Sequence, residues 1–410
     1  MNRQEDATRE ADLPRAGIRG TNQSGMRAHN ERLVLTLLRR NGPLAKAELA
    51  RLTGLSAQTV SVIMRALEAD GLIARGEPRR GRVGQPSVPM HLVPDGAYFL
   101  GLKLGRRSLE LVLVDFLGQV LGAEYESHRF PTPASAVAFI RRAVPALTDG
   151  MSRLERDRIS GLGIGLPFHL WDWAQPLGVP PREMAVWRDA DLRADIAAEV
   201  PFPVFLENDA SAACNAEIVF GNLTGPDGLR DFVYAYIGYF AGGGLVLNGR
   251  LVTGRTGNAG ALGSMPVPAM AGGSVQLLEV ASLSGLEAMH VARGQAAAAM
   301  WETPEDWEMA PDVLALWIRN AASGLAHVAA SGAALLDLEA LVVDGWMPAS
   351  LRHRLIAETE VALARIDLSG TTAPDVVAGT IGPGARALGA ASVPLSMRFL
   401  VDPAALGTTG

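Results

Sequence analysis

Cysteine is almost missing from this chain. One residue, Cys214, in 410 rules out a disulfide framework within the chain and any site built from several thiolates. The seven histidines show no metal-binding spacing. No apolar run reaches the roughly 18 residues of a membrane-spanning helix, and the polar N-terminus has no secretory apolar segment. No GxxxxGK[ST] phosphate loop occurs, and Gly161-x-Gly163 opens like a dinucleotide fingerprint only to meet Leu166 and Pro167 where its last glycine should come. These absences lead us to expect a soluble cytoplasmic protein with no resident metal or cofactor.

What is present is ordinary globular material. Hydrophobic residues make up 48% of the chain and charged residues 20%, enough for two or three cored domains at this length. Charge is unevenly placed. Met1 to Asp95 carries 15 Lys and Arg against 10 Asp and Glu, a balance of +5, so the remainder must hold −11 to give the net −6. A basic head on an acidic body fits a head that meets a polyanion.

Residues 1–25 mix charges without apolar periodicity and read as a disordered arm. From Met26 the pattern is helical, with Leu33, Val34, Leu37 and Leu38 in one stripe that stops at Asn41-Gly42-Pro43. A short helix over Lys46 to Leu52 and a turn at Gly54 follow. Ser56 is placed to cap a third helix, whose Val60, Ile63, Met64 and Leu67 share one face. Gln58, Thr59, Ser61 and Arg65 lie on the other. This is the layout of a helix-turn-helix, although a small three-helix packing with a solvated polar face has the same pattern. Two strands, from Gly71 and over Val88 to Leu92, then flank a hairpin tip holding Arg79, Arg80 and Arg82. A basic hairpin directly behind a helix-turn-helix is the wing of a winged helix, suited to phosphates or the minor groove.

Beyond Asp95-Gly96, strands are expected at Tyr98 to Leu104, Ser108 to Asp115, Val120 to Ser127, Ser160 to Leu166 and Phe202 to Leu206. Helices are expected at Ala134 to Val144, with Pro145 as a stop, and at about Ala190 to Val200. This alternation predicts α/β layers. The winged head, GLKLGRRSLELVLVDFLGQVL, the Glu207-Asn208-Asp209-Ala210 box, Gly242-Gly243-Gly244, GNAGALGSM, DLEALVVDG and GTIGPGARALGAA occur in this order. That succession resembles the ROK family of repressors and sugar kinases, in its regulator branch with the xylose and N-acetylglucosamine repressors.

The resemblance implies an actin/hexokinase-like body of two α/β lobes around a cleft, with the winged helix-turn-helix in front. It implies divisions at 26–94 for the head, 95–206 with 385–410 for the first lobe, and 207–384 for the second. In family kinases Asp209 would be the base that deprotonates a sugar hydroxyl, and Asn208 would bind sugar hydroxyls. The same two residues are also good helix caps. Asn258 and Glu279 complete the implied sugar-binding set; for Glu279 a plain surface carboxylate is the rival reading.

The kinase parts depart from the family pattern. Lys103-Leu104-Gly105-Arg106-Arg107 stands where an aspartate should help hold magnesium, and an ammonium has no lone pair to offer a cation. Tyr239 and Phe240 bring bulk to the second phosphate turn, leaving Gly242 to Gly244 with packing work. Gly260-Ala261-Leu262-Gly263-Ser264 lacks the family's sugar-binding glutamate and the histidine that serves both sugar and a structural zinc, and no cysteine cluster follows. The segment Phe168 to Arg188, with Trp171, Trp173 and Trp187, suits a lid over the cleft or an irregular loop anchored to the core.

The expected function is a sugar-responsive regulator, a repressor, with a kinase-inactive effector domain. Its partners would be operator DNA and a sugar or sugar phosphate, and it would act as a homodimer or homotetramer away from membranes. The alternative is an ATP-dependent sugar kinase using Asp209 as base.

Overall fold

The computed structural model describes residues 23–78, 87–168, 170–174, 178–225, 227–269 and 272–401. The expected wing-tip residues Arg79, Arg80 and Arg82 lie outside this set.

The head opens with α1 (Gln23–Asn41), followed by β1 (Leu44–Ala45), α2 (Lys46–Thr53) and α3 (Ala57–Ala69). β2 (Ile73–Arg75) and β3 (Pro89–Leu92) complete it, in the sheet order β1-β3-β2. The two-residue β1 was not anticipated, because so short a strand carries no alternation. Gly54 ends α2 at φ 68°, a left-handed turn that favours glycine. Ser56 caps α3 by accepting the Thr59 amide at 3.1 Å. Val60, Ile63 and Leu67 are buried as the spacing predicts. In α1, however, Leu35 and Thr36 are buried as well as the expected stripe, because the back of this helix packs on the body.

Two five-stranded sheets form that body. The first, in the order β6-β5-β4-β7-β8, comprises β4 (Tyr98–Leu104), β5 (Ser108–Val114), β6 (Val120–Ser127), β7 (Ile159–Leu166) and β8 (Val204–Asn208). The second, in the order β11-β10-β9-β14-β15, comprises β9 (Phe232–Ile237), β10 (Ala241–Leu247), β11 (Arg250–Val252), β14 (Ala340–Gly345) and β15 (Asp375–Ala378). Each sheet begins with an antiparallel meander and adds two parallel strands, so one topology occurs twice. A ribbon of β12 (Pro266–Pro268) and β13 (Ser274–Gln276) stands apart. This is the two-lobed actin/hexokinase-like architecture.

One expected helix end moved. α4 (Pro133–Thr148) runs through Pro145 rather than stopping there. Proline removes the bond to the Arg141 carbonyl, but both residues are exposed, so water can take its place.

Two helices join the lobes. α5 (Asp209–Phe220) follows β8, and α8 (Ala385–Phe399) packs on β4 and β7; between them in sequence come α6 (Pro311–Leu336) and α7 (Ala349–Leu363). Their approach depends on missing side chains. A Cβ on Gly163 would lie 1.8 Å from the Ala390 carbonyl oxygen, and one on Gly389 2.0 Å from that of Ala212. The fingerprint-like Gly161-x-Gly163 therefore serves helix-to-sheet packing. α6 has the length and composition of a membrane span, yet Trp317, Ile318, Leu325 and Val328 lie in the core of the second lobe.

Candidate functional site

Between the lobes lies a cavity of about 670 Å³. Asn208 and Asp209 reach it from the end of β8, Asn258 from the loop after β11, and Gln276 from the ribbon. Phe168 and Asp172 form part of its wall, while Trp187 is anchored in the core, its indole N–H donating to the Pro131 carbonyl at 3.1 Å. The tryptophan segment thus contributes both wall and anchor.

The Asn208 side-chain oxygen accepts the amides of Ala210 at 3.0 Å and Ser211 at 3.3 Å, so the residue is the N-cap of α5. It lines the cavity as well, and the two roles coexist. Asp209 is 9% exposed, and its Oδ2 accepts from Arg386 Nη1 at 3.0 Å. Arg386, in the first turn of α8, stacks over Tyr236 at 4.6 Å. A Cβ on Gly238 would sit 1.9 Å from the same guanidinium, so glycine at the head of the second turn makes room for it.

The two expected phosphate turns meet each other directly. Arg106 is buried and its guanidinium lies 3.4 Å from the Phe240 ring centroid. Arg107 points outward, over Tyr239 at 5.4 Å, and pairs with Glu287 at 3.1 Å. Lys103 bonds Ser108 at 3.3 Å and Glu110 at 3.4 Å. Burial lowers the Lys103 ammonium, with Glu110 opposing, and pushes the Arg106 guanidinium well down, with Asp209 opposing. Gly242 and Gly244 pack against Ala210 and Cys214, where a Cβ would come within 2.9 and 2.6 Å.

The glycine turn over residues 379–384 is held by protein carboxylates. The Gly382 amide donates to Asp344 Oδ2 at 2.9 Å. Asp344 is fully buried, accepts from Tyr234 Oη at 3.0 Å and pairs with Arg352. Glu217 accepts the Thr380 amide at 2.7 Å and its hydroxyl at 2.6 Å.

Glu279 is not brought to the cavity. It is exposed and caps its own helix, accepting the Gln276 amide at 3.0 Å, while Gln276 and Leu278 line the wall. The stretch after Ser264 folds as the β12–β13 ribbon, and among the described residues no three His, Cys, Asp or Glu side chains converge as a metal site.

On the head, Gln58 and Thr59 are exposed near the start of α3. Thr59 shares its hydroxyl with the Ser56 cap at 2.8 Å. Ser61 and Arg65 fold back onto their own helix, Ser61 donating to Ala57 O at 2.8 Å and Arg65 to Ser61 O at 3.3 Å. Both are exposed-side groups that would have to turn outward to reach another molecule.

Comparison with known proteins decides the family. The ROK family model matches residues 99–395, and a winged helix-turn-helix DNA-binding model matches residues 27–74. The chain belongs to the ROK family. An uncharacterised protein of Sinorhizobium fredii, y4fQ, is 26% identical over 382 residues, 92% of this chain and 93% of that protein. The xylose repressor of Bacillus subtilis is 26% identical over 245 residues, 60% of this chain and 62% of the repressor. A crystal structure of a ROK family transcriptional regulator, a homologue of the E. coli MLC protein, shares the fold with a TM-score of 0.65 at 21% identity, covering 93% of this chain and 100% of that one.

Within this ROK body, sequence reasoning missed Arg386 and Gln276. Arg386 sits in GARALGAA, which reads as a helix start, and its partner Asp209 lies 177 positions away. The one signal was a long cation in a run otherwise made of small residues.

Proposed function

We propose that this ROK protein is a sugar-responsive, DNA-binding transcriptional regulator, a repressor, whose kinase-like body binds its effector without transferring phosphate. The observation that carries this reading is the contact between the two phosphate turns. Arg106 stacks on Phe240, a cation and a bulky ring at the turns where a kinase needs small residues against phosphate, and Lys103 cannot replace a metal-binding aspartate. Asp209, the kinase base by resemblance, is engaged by Arg386. Asn208 and Asn258 remain at the cavity as hydroxyl-binding groups. The named relatives support the regulatory side: one is a xylose repressor, another a transcriptional regulator.

The head would place α3 in the major groove, with Gln58 and Thr59 at base edges, Ser61 and Arg65 turning outward, and Arg79, Arg80 and Arg82 on phosphates. A homodimer or homotetramer in the cytoplasm fits a two-fold operator. The test is fluorescence anisotropy on DNA from the protein's own promoter region. Gln58→Ala should weaken specific binding by about tenfold while leaving non-specific binding in place. In parallel, ATP and magnesium are incubated with a sugar panel. Turnover abolished by Asp209→Asn would establish the kinase alternative instead.

A further inference from the structure

The outward face of α3 carries a residue that the packing of the head does not explain. Val60, Ile63 and Leu67 turn into the core of the head, whereas Val62 turns away from it and is 45% exposed. Among the described residues of α3 it is the one large hydrophobic side chain left in solvent. Helix propensity does not account for it either, because a β-branched side chain is a poorer helix former than alanine or a long polar residue at an exposed position. Its polar neighbours are engaged within the helix. The Thr59 hydroxyl is shared with the Ser56 cap, and Ser61 and Arg65 bond to backbone carbonyls one turn back. That leaves Gln58 and Val62, four positions apart and so on one line of the helix, to project from it.

We propose that Val62 is a specificity-determining residue of the head, its methyl groups packing on the C5 methyl of a thymine in the major groove. In that groove thymine alone presents a methyl group, while the other bases present donors and acceptors. Cytosine at the same place would set its amino donor against an apolar side chain that cannot accept from it. Four helical residues span about 6 Å and successive base pairs lie about 3.4 Å apart. With α3 along the groove, the thymine therefore falls within about two base pairs of the base that Gln58 contacts. This rests on the placement of α3 in the major groove and names a base that the half-site must contain.

The experiment uses the full chain at fixed ionic strength on DNA from the protein's own promoter region. Footprinting locates the half-sites, and each thymine in them is then replaced in turn by deoxyuridine, which lacks only the C5 methyl and pairs as thymine does. Anisotropy should show binding weakened about fourfold at one thymine of each half-site, the effect of one lost methyl contact. Val62→Ser should bind the thymine and uracil forms equally, with non-specific binding unchanged. Val62→Ala should be equally insensitive, and because alanine strengthens the helix, loss of α3 cannot imitate that result. A deoxyuridine series without effect, or an effect that persists in both variants, overturns the proposal. If Gln58→Ala still loses specific binding in that case, the groove placement of α3 stands and Val62 alone is rejected. Wild-type protein that protects no sequence in the promoter overturns the groove placement as well.

Discussion

Removing the Arg386 side chain leaves Asp209 buried without a counter-charge. Arg386→Met should therefore destabilise the fold by about 3 kcal/mol in denaturant titration, and Arg386→Met/Asp209→Asn should regain much of that loss. The pair's side chains are only 14% and 12% exposed, so solvent screening is weak. A second residue-scale expectation concerns pH. Burial lowers His128, whose Nε2 lies 3.0 Å from the Gly105 carbonyl, from its ordinary value of 6.5. Below 6.5 the unfolded chain takes up a proton that the folded chain resists, so His128's contribution is present above 6.5 and lost as pH falls towards its folded value. His128→Gln should flatten this part of the stability-against-pH curve. If the slope around pH 6 is unchanged in the variant, another group is responsible.

Among the elements, α8 is the most demanding, because it lies on glycines. Gly163→Ala would place a methyl against the Ala390 carbonyl, backbone against which no rotamer can relax. We expect a loss of about 3 kcal/mol or failure to fold, read from the denaturation midpoint. Elements like these set the limits of what the sequence made legible. α3 was readable because Val60, Ile63 and Leu67 repeat at helical spacing, and β4 to β6 because tight turns separate short apolar runs. The zinc motif's missing residue types were equally visible. The Asp209–Arg386 pair and the Arg106–Phe240 contact were not, since each joins segments far apart in the chain with no local pattern. Glu279 matched the family position, but its helix turns it to solvent. Pro145 misled because it and Arg141 are exposed, so the carbonyl left without its helix bond can take water.

At the scale of the molecule, α5 and α8 begin at the cavity and end at the head. Phe220, the last residue of α5, lies under Arg39 of α1 at 5.6 Å. Phe399, at the end of α8, packs on Phe99 and Phe116, and Phe116 also lies under Arg39 at 5.2 Å. Val401 donates its amide to Thr36 in the middle of α1 at 3.0 Å. Head and first lobe therefore share one apolar core, and a ligand that favours one placement of these helices can alter the head. Phe220→Leu should keep DNA affinity within about twofold while reducing the ligand's effect on it. The most direct test of a sugar-responsive regulator is anisotropy of promoter DNA titrated with the full chain, with and without a panel of sugars and sugar phosphates, over a salt series. We expect sequence-selective, salt-dependent binding that a ligand shifts by about tenfold. DNA binding that no ligand alters, or no specific binding at all, would contradict it.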